Sequence, residues 1–123
     1  MAPTTKEFFD ELGRRGYEPL LAKATGSLRF DLEDGKRTEH WLIAIKKGDV
    51  AVSHENVEAD CIVRSGRPLF DGIVSGEVNA MAAILRGLVG LEGNPELLVL
   101  FQRLLPGPSR SRDRAPADVG RQP

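Results

Sequence analysis

The sequence predicts one α+β domain: a helix, a series of short strands, and a helical second half. Three observations predict it. Apolar residues recur at helical intervals near the N-terminus, at every second position through the middle, and at helical intervals again from Leu69 to Leu105. A chain of 123 residues has room for one core and not for two. The apolar share of 41% is ordinary for a globular protein and well above that of disordered chains.

The first helix is expected over Thr5 to Arg15. Thr4 and Glu7 have the spacing of a capping box, Phe8, Phe9 and Leu12 recur at helical intervals, and Gly16 supplies the stop. From Gly26 the period changes to two. Leu28, Phe30 and Leu32 alternate with Ser27, Arg29 and Asp31, as on a half-buried strand. Asp34-Gly35 is a tight-turn pair, and the return strand puts Trp41, Ile43 and Ile45 on one face. Lys47-Gly48-Asp49 turns the chain again, and Val50 and Val52 mark a third strand. A polar link from Glu55 to Glu58 leads to a fourth, where Ala59, Cys61 and Val63 alternate with Asp60, Ile62 and Arg64. Four short strands in this order read as an antiparallel meander.

The second half is helical. Pro68 suits a first turn, and Leu69, Phe70, Ile73 and Val74 form a stripe that stops at Gly76. Asn79 caps a helix whose Met81, Ile84, Leu85 and Leu88 follow the i, i+3, i+4, i+7 rule. The Gly-rich stretch from Leu88 to Gly93 reads as a short fifth strand. Asn94 and Pro95 open a last helix, which Pro106-Gly107-Pro108 ends. From Pro106 to Pro123 the Pro, Ser and Arg content has no core-forming pattern, so residues 106–123 are expected to be a disordered tail outside a domain of residues 1–105.

Charge excludes some function classes. Seventeen basic residues face 18 acidic ones, so no overall field recruits nucleic acid, and at most transient membrane contact is expected. The tail's arginines (Arg110, Arg112, Arg114, Arg121) lack interleaved aromatics. The single cysteine, Cys61, allows no internal disulfide and fits a reducing compartment. Neither a secretory signal nor an apolar run of about 20 residues is present, which points to the cytoplasm.

Catalytic and metal patterns are thin. His40 and His54 have no Cys, His or carboxylate at ligand spacing, so no metal site is expected. Cys61 shares a strand face with Ala59 and Val63 and reads as a small buried hydrophobe. Glu55, Glu58 and Asp60 read as a solvated link, and the glycines at Gly87, Gly90 and Gly93 follow no phosphate-loop fingerprint. No cofactor is expected, and no enzyme activity.

The last helix is the most informative segment. Leu97, Leu98, Val99, Leu100 and Phe101 are consecutive apolar residues, joined by Leu104 and Leu105. Such a run covers most of the helical circumference, so the second face must be buried somewhere. A deep core, a partner subunit and a cavity holding an apolar ligand each satisfy that requirement. Phe30, Trp41, Ile43 and Ile45 supply the opposite wall in all three cases.

Two stretches taken together resemble a known family. Gly26 to Leu32, the turn at Asp34-Gly35 and the strand around Trp41 resemble the first hairpin of the sterol carrier protein type 2 domain family. The segment from Ala59 to Val63 through Phe70, Gly76, Asn79, Ala80, Leu85 and Gly87 to Leu91-Glu92-Gly93-Asn94 is similar to its second half. The resemblance runs from about Phe8 to Leu105, and the compact, Ala- and Gly-rich chain looks like bacterial stand-alone members. It implies a five-stranded, largely antiparallel sheet covered by helices, with an apolar tunnel between them. It also implies non-catalytic binding, and transfer, of a fatty acid, acyl-CoA or sterol-like lipid by a monomer or homodimer. Placed on that arrangement, the apolar periodicity puts Phe30, Trp41, Ile43, Phe70, Val74, Met81, Ile84, Leu85, Leu97, Leu98 and Phe101 along the tunnel. The rival expectation is an interaction or accessory module whose last helix packs against a partner or a second copy.

Overall fold

The computed structural model describes residues 4–105 of the chain. The expected tail at 106–123, and with it the outer limit of the domain, lies outside the described residues.

Helix α1 spans Thr5–Arg15 as its caps require. The Thr4 hydroxyl accepts from the Glu7 N–H, the Glu7 carboxylate accepts from the Thr4 N–H, and Gly16 closes the helix with φ +71°. Strands β1 (Thr25–Asp34) and β2 (Arg37–Lys46) form a hairpin of ten residue pairs across Gly35-Lys36, and β3 (Asp49–Ser53) follows across Lys47-Gly48. Both residues of the second turn have positive φ (49° and 93°), the geometry that matches the twist of paired strands. The chain continues through β4 (Cys61–Gly66), α2 (Arg67–Ser75), α3 (Ala80–Leu85), β5 (Gly90–Gly93) and α4 (Pro95–Phe101). Short 3₁₀ turns stand at Pro19–Leu21 and Gln102–Leu104.

The sheet is five-stranded and mixed, in the order β3-β2-β1-β4-β5. The expected four-strand antiparallel meander holds for β1, β2 and β3 only. Strand β4 pairs with β1 in parallel, Leu28 opposite Cys61 and Phe30 opposite Val63. The register explains why. Ser53, Leu42, Arg29 and Ile62 stand at one level across the sheet. The polar link of residues 54–60 therefore has only to cross sideways over three strand spacings, about 14 Å, within the roughly 23–25 Å that seven residues reach. It is stapled in place. The Asp60 carboxylate accepts from the Ser27 N–H at 3.0 Å, and Arg29 donates to the Val57 carbonyl at 2.9 Å. Gly93 seals the far side, because a Cβ there would lie 2.3 Å from the Asp60 carbonyl oxygen and φ is +95°.

Alternation then sorts the two faces. Leu28, Phe30, Leu32, Trp41, Ile43, Ile45, Cys61 and Val63 are buried under the helices. Arg29, Asp31, His40 and Arg64 share the opposite face. There Asp31, only 8% exposed, accepts from Arg29 at 2.9 Å and hydrogen-bonds His40 Nδ1 at 2.8 Å. Burial pushes the Asp31 carboxyl up, but the bonds and charges of Arg29 and His40 outweigh that and hold it below its ordinary value.

The third helix departs from expectation. It buries Ala80 and Ala83, while Met81 and Ile84 are half-buried, Leu85 is 80% exposed and Leu88 is exposed beyond the helix end. Gly87, at φ +76°, stops the helix early, with the Leu88 N–H returning to the Ala83 carbonyl at 3.0 Å. The small alanine face lets this short helix sit close, and the predicted leucine stripe turns outward.

Candidate functional site

Between the sheet and the helices lies a cluster of aromatic rings. Phe30 and Trp41 rise from β1 and β2, Phe9 descends from α1, Phe70 comes from α2, and Phe101 from α4. Phe9 is the hub. Its ring centroid is 4.8 Å from Trp41, 5.2 Å from Phe30, 5.8 Å from Phe70 and 6.5 Å from Phe101. Phe30 is in turn 5.4 Å from Phe70 and 5.2 Å from Phe101, and Phe8 meets Phe101 edge-on at 6.1 Å. These are the spacings at which aromatic pairs attract beyond simple burial. The rings occupy the space where the family resemblance implies a tunnel.

The predicted lining residues divide into two groups. Phe30, Trp41, Ile43, Phe70, Val74, Leu97, Leu98 and Phe101 are buried together in this core. Met81 and Ile84 are half-buried on α3, and Leu85 stands at the surface. Phe9, absent from the predicted set, is fully buried at the centre. Its signal lay in the first helix, where Phe8, Phe9 and Leu12 form the only apolar face, but a hub and a lid share the same periodicity.

The core around these rings is electrostatically quiet. The buried polar side chains among the described residues are already engaged. Thr5 donates to Asp71 at 2.6 Å, Ser65 donates to the Gly66 carbonyl at 2.9 Å, Glu18 pairs with Arg15, and Asp31 is held on the opposite face. Burial pushes the Cys61 thiol up, which keeps it protonated and unreactive. Among the described residues no three His, Cys, Asp or Glu side chains gather as metal ligands. Such a site can exclude water and receive hydrocarbon. Among the described residues the one buried side-chain donor left without a partner is Arg67 Nε, at the edge of the core.

The cluster reaches the surface beside β3. A groove of about 510 Å³ between α1 and β3 is lined by Phe9, Asp10, Gly13, Trp41, Val52 and His54, among others. The His54 ring lies 4.1 Å from Trp41, and its Nδ1 meets the His40 carbonyl at 3.1 Å. At the other end, Arg67 ties the elements together. It reaches Glu39 at 2.8 Å, Asp34 at 3.7 Å and Asp71 at 3.7 Å, while Glu39 also accepts from the Trp41 indole at 3.1 Å. This charged clasp fixes α2 against the hairpin that carries Phe30 and Trp41.

Comparison with known proteins agrees with this geometry. The sequence model described as the SCP-2 sterol transfer family matches residues 9–106. No curated protein matches the chain. Among solved structures, sterol carrier protein 2 from Yarrowia lipolytica in its apo form superposes with a TM-score of 0.64 at 23% identity, over 78% of this chain and 84% of that one. The palmitated SCP2L2 of Aedes aegypti gives 0.66 at 16% identity, over 83% of this chain and 94% of that one. The stereoselective inverting sec-alkylsulfatase Pisa1 from Pseudomonas sp. gives 0.66 at 25% identity, over 85% of this chain. The chain spans only 17% of that enzyme's length.

Proposed function

The chain belongs to the SCP-2 sterol transfer family, and from that premise we infer that it binds an apolar lipid between its sheet and its helices. The observation that supports the reading is the apolar core itself: a hub of phenylalanine and tryptophan rings packed with Ile43, Val74, Leu97 and Leu98, with Thr5 and Ser65 already bonded. A fatty acid, acyl-CoA or sterol-like molecule fits that chemistry. Each CH₂ taken from water into such a site contributes about 0.8 kcal/mol, so an acyl chain of ordinary length gives useful affinity without one hydrogen bond.

The rings fill the space between sheet and helices, so uptake requires them to part. Helix α4 is the element to move. It is two turns long, it closes the described fold, and its inward residues Leu97, Leu98 and Phe101 are the wall that faces β1 and β4. The groove beside Phe9 and Trp41 is the place where the cluster already meets water.

Native mass spectrometry of freshly purified protein, paired with lipid analysis of an organic extract, tests the reading. A discrete added mass matched by one lipid class in near-stoichiometric amount is expected. A bare mass that persists after exposure to fatty acids and sterols would overturn it.

A second reading draws on the alkylsulfatase, where the same fold is a small part of a longer chain. In it the module serves a partner and its chamber stays filled by its own rings. A complex of defined mass in sedimentation, together with the bare mass above, would favour that reading.

A further inference from the structure

The sheet ends in two edge strands, β3 and β5, and the fold treats them differently. At β3 the outward N–H of Val50 donates to the Gly16 carbonyl at 2.8 Å, and Tyr17 bridges Asp49. Helix α1 lies so close to that edge that a Cβ on Gly13 would stand 3.2 Å from Val52 Cβ. At β5 all four residues are exposed. The Asn94 N–H donates to the Asp60 carbonyl at 2.8 Å, one step beyond the pairing of Cys61 with Gly93. Antiparallel hydrogen bonds alternate along a strand, so Glu92 and Gly90 turn their backbone groups toward β4, and Leu91 turns its N–H and C=O outward. Among the described residues these two groups take no backbone partner. A bare edge of this kind is a template for another strand. Beside it Leu85, Leu88 and Leu91 are 80%, 54% and 39% exposed.

We propose that β5 pairs with β5 of a second copy, antiparallel across a two-fold axis, and joins two five-stranded sheets into one. An axis that relates neighbouring antiparallel strands stands perpendicular to the sheet. Residues that meet across it therefore share a face, and the axis passes through the level of one residue. Leu91 is the residue that fits. Opposite its own copy it exchanges two backbone hydrogen bonds, and it sets two leucine side chains together on the face that Val63 shares under the helices. Centring on Glu92 would oppose like charges, and Gly93 is bent at φ +95° against Asp60.

Charge complementarity selects a second copy as the occupant. With Leu91 at the centre, the partner's Glu92 stands opposite Gly90, and Arg64 stands opposite Gly90 from the other side. Gly90 puts no side chain between them. Arg64, which already holds its own Glu92 at 2.9 Å, thus faces the partner's Glu92 as well. Arginine and glutamate then alternate round the axis. The antiparallel direction also lays exposed Arg86, before the strand, toward the end of the partner strand where exposed Glu96 follows. The strand is short, so the interface belongs to the small, reversible class. The pairing uses neither the aromatic core nor the inward face of α4, and it stands apart from the lipid-binding reading.

Sedimentation of the full chain over a wide range of concentration tests this. A monomer that passes reversibly to a dimer is expected. Leu91→Pro removes the outward N–H, costs the single copy no hydrogen bond, and is expected to stay monomeric throughout. Glu92→Lys, at a mostly exposed side chain, leaves only cations round the axis and is expected to weaken the dimer at least about tenfold. Arg64→Glu with Glu92→Arg in one chain restores the alternation and is expected to recover it. An unaltered thermal midpoint will show that each variant keeps the fold. Should Leu91→Pro lose it, Glu92→Lys and its rescue decide the matter. Hydrogen exchange locates the contact: the Leu91 amide is expected to slow as the dimer forms, while the amides of β3 keep their rates. A wild type that stays monomeric at millimolar concentration overturns the proposal. So does a dimer that Glu92→Lys leaves unchanged, or a Leu91 amide that exchanges at one rate in monomer and dimer. Bound lipid in a strict monomer removes the pairing alone, and a β5-dependent dimer without bound lipid removes the carrier function alone.

Discussion

Asp31 and Cys61 show how single residues answer to their surroundings rather than to their type. Asp31 sits on the open face of the sheet, yet Arg29 and His40 hold its carboxyl below its ordinary value against the upward push of burial. A carboxylate with a depressed folded pKa adds stability above its unfolded pKa, near pH 4, and loses it as pH falls through the folded value. Asp31→Asn is therefore expected to narrow the stability difference between pH 7 and pH 3 in urea titrations, and an unchanged difference would count against the pairing. Cys61 is fully buried, and burial alone raises its thiol. Its reaction with a thiol reagent is expected to proceed no faster than global unfolding, and rapid labelling of the native protein would disprove that placement.

At the scale of elements, the clasp and the caps decide what moves. Arg67 bonds Glu39 and approaches Asp34 and Asp71, its Nε buried without a partner of its own. Arg67→Met removes the shared cation, while Glu39 keeps the Trp41 indole and Asp71 keeps Thr5, and is expected to cost about 1 kcal/mol in urea unfolding. Helix α4 depends on Asn94, whose carbonyl oxygen accepts from the Glu96 N–H at 3.0 Å. Asn94→Ala removes that cap at a cost of about 1 kcal/mol. Amide exchange at Leu97 to Phe101 is then expected to quicken by about fivefold while the strands keep their protection. Much of this level was legible in the sequence. The capping box at Thr4 and Glu7, the period-2 run from Leu28, and Asn94-Pro95 act through local rules and fold as read. Two features were not legible because they are settled far away in sequence. The parallel pairing of β4 follows from where a seven-residue link can land. The outward turn of Leu85 follows from Ala80 and Ala83 fitting the core more closely. The hub role of Phe9 was hidden for the same reason, since periodicity gives a face and not a neighbour.

At the scale of the whole fold, a five-stranded sheet is covered on one face by helices. The hairpin of ten residue pairs and the parallel β1–β4 pair hold Phe30, Trp41 and Val63 in place, and α4 with its following turn closes over them. Replacing the keystone of that closure separates stability from capacity. Phe101→Ala is expected to cost about 3–5 kcal/mol in the ligand-free protein, as large-to-small core changes do. A saturating fatty acid should restore part of that loss by filling the vacated space, seen as a larger rise in unfolding midpoint than wild type shows. No rise in either protein would mean that the space cannot accept a ligand.

The most direct test of a chamber between sheet and helices is isotope-filtered NMR of the protein with ¹³C-labelled palmitate. The account predicts contacts from the acyl chain to the ring protons of Phe9, Phe30 and Phe101 and to the methyls of Leu97. Contacts confined to Leu20, Leu85 or other surface residues, with the buried rings unshifted at saturation, would contradict it.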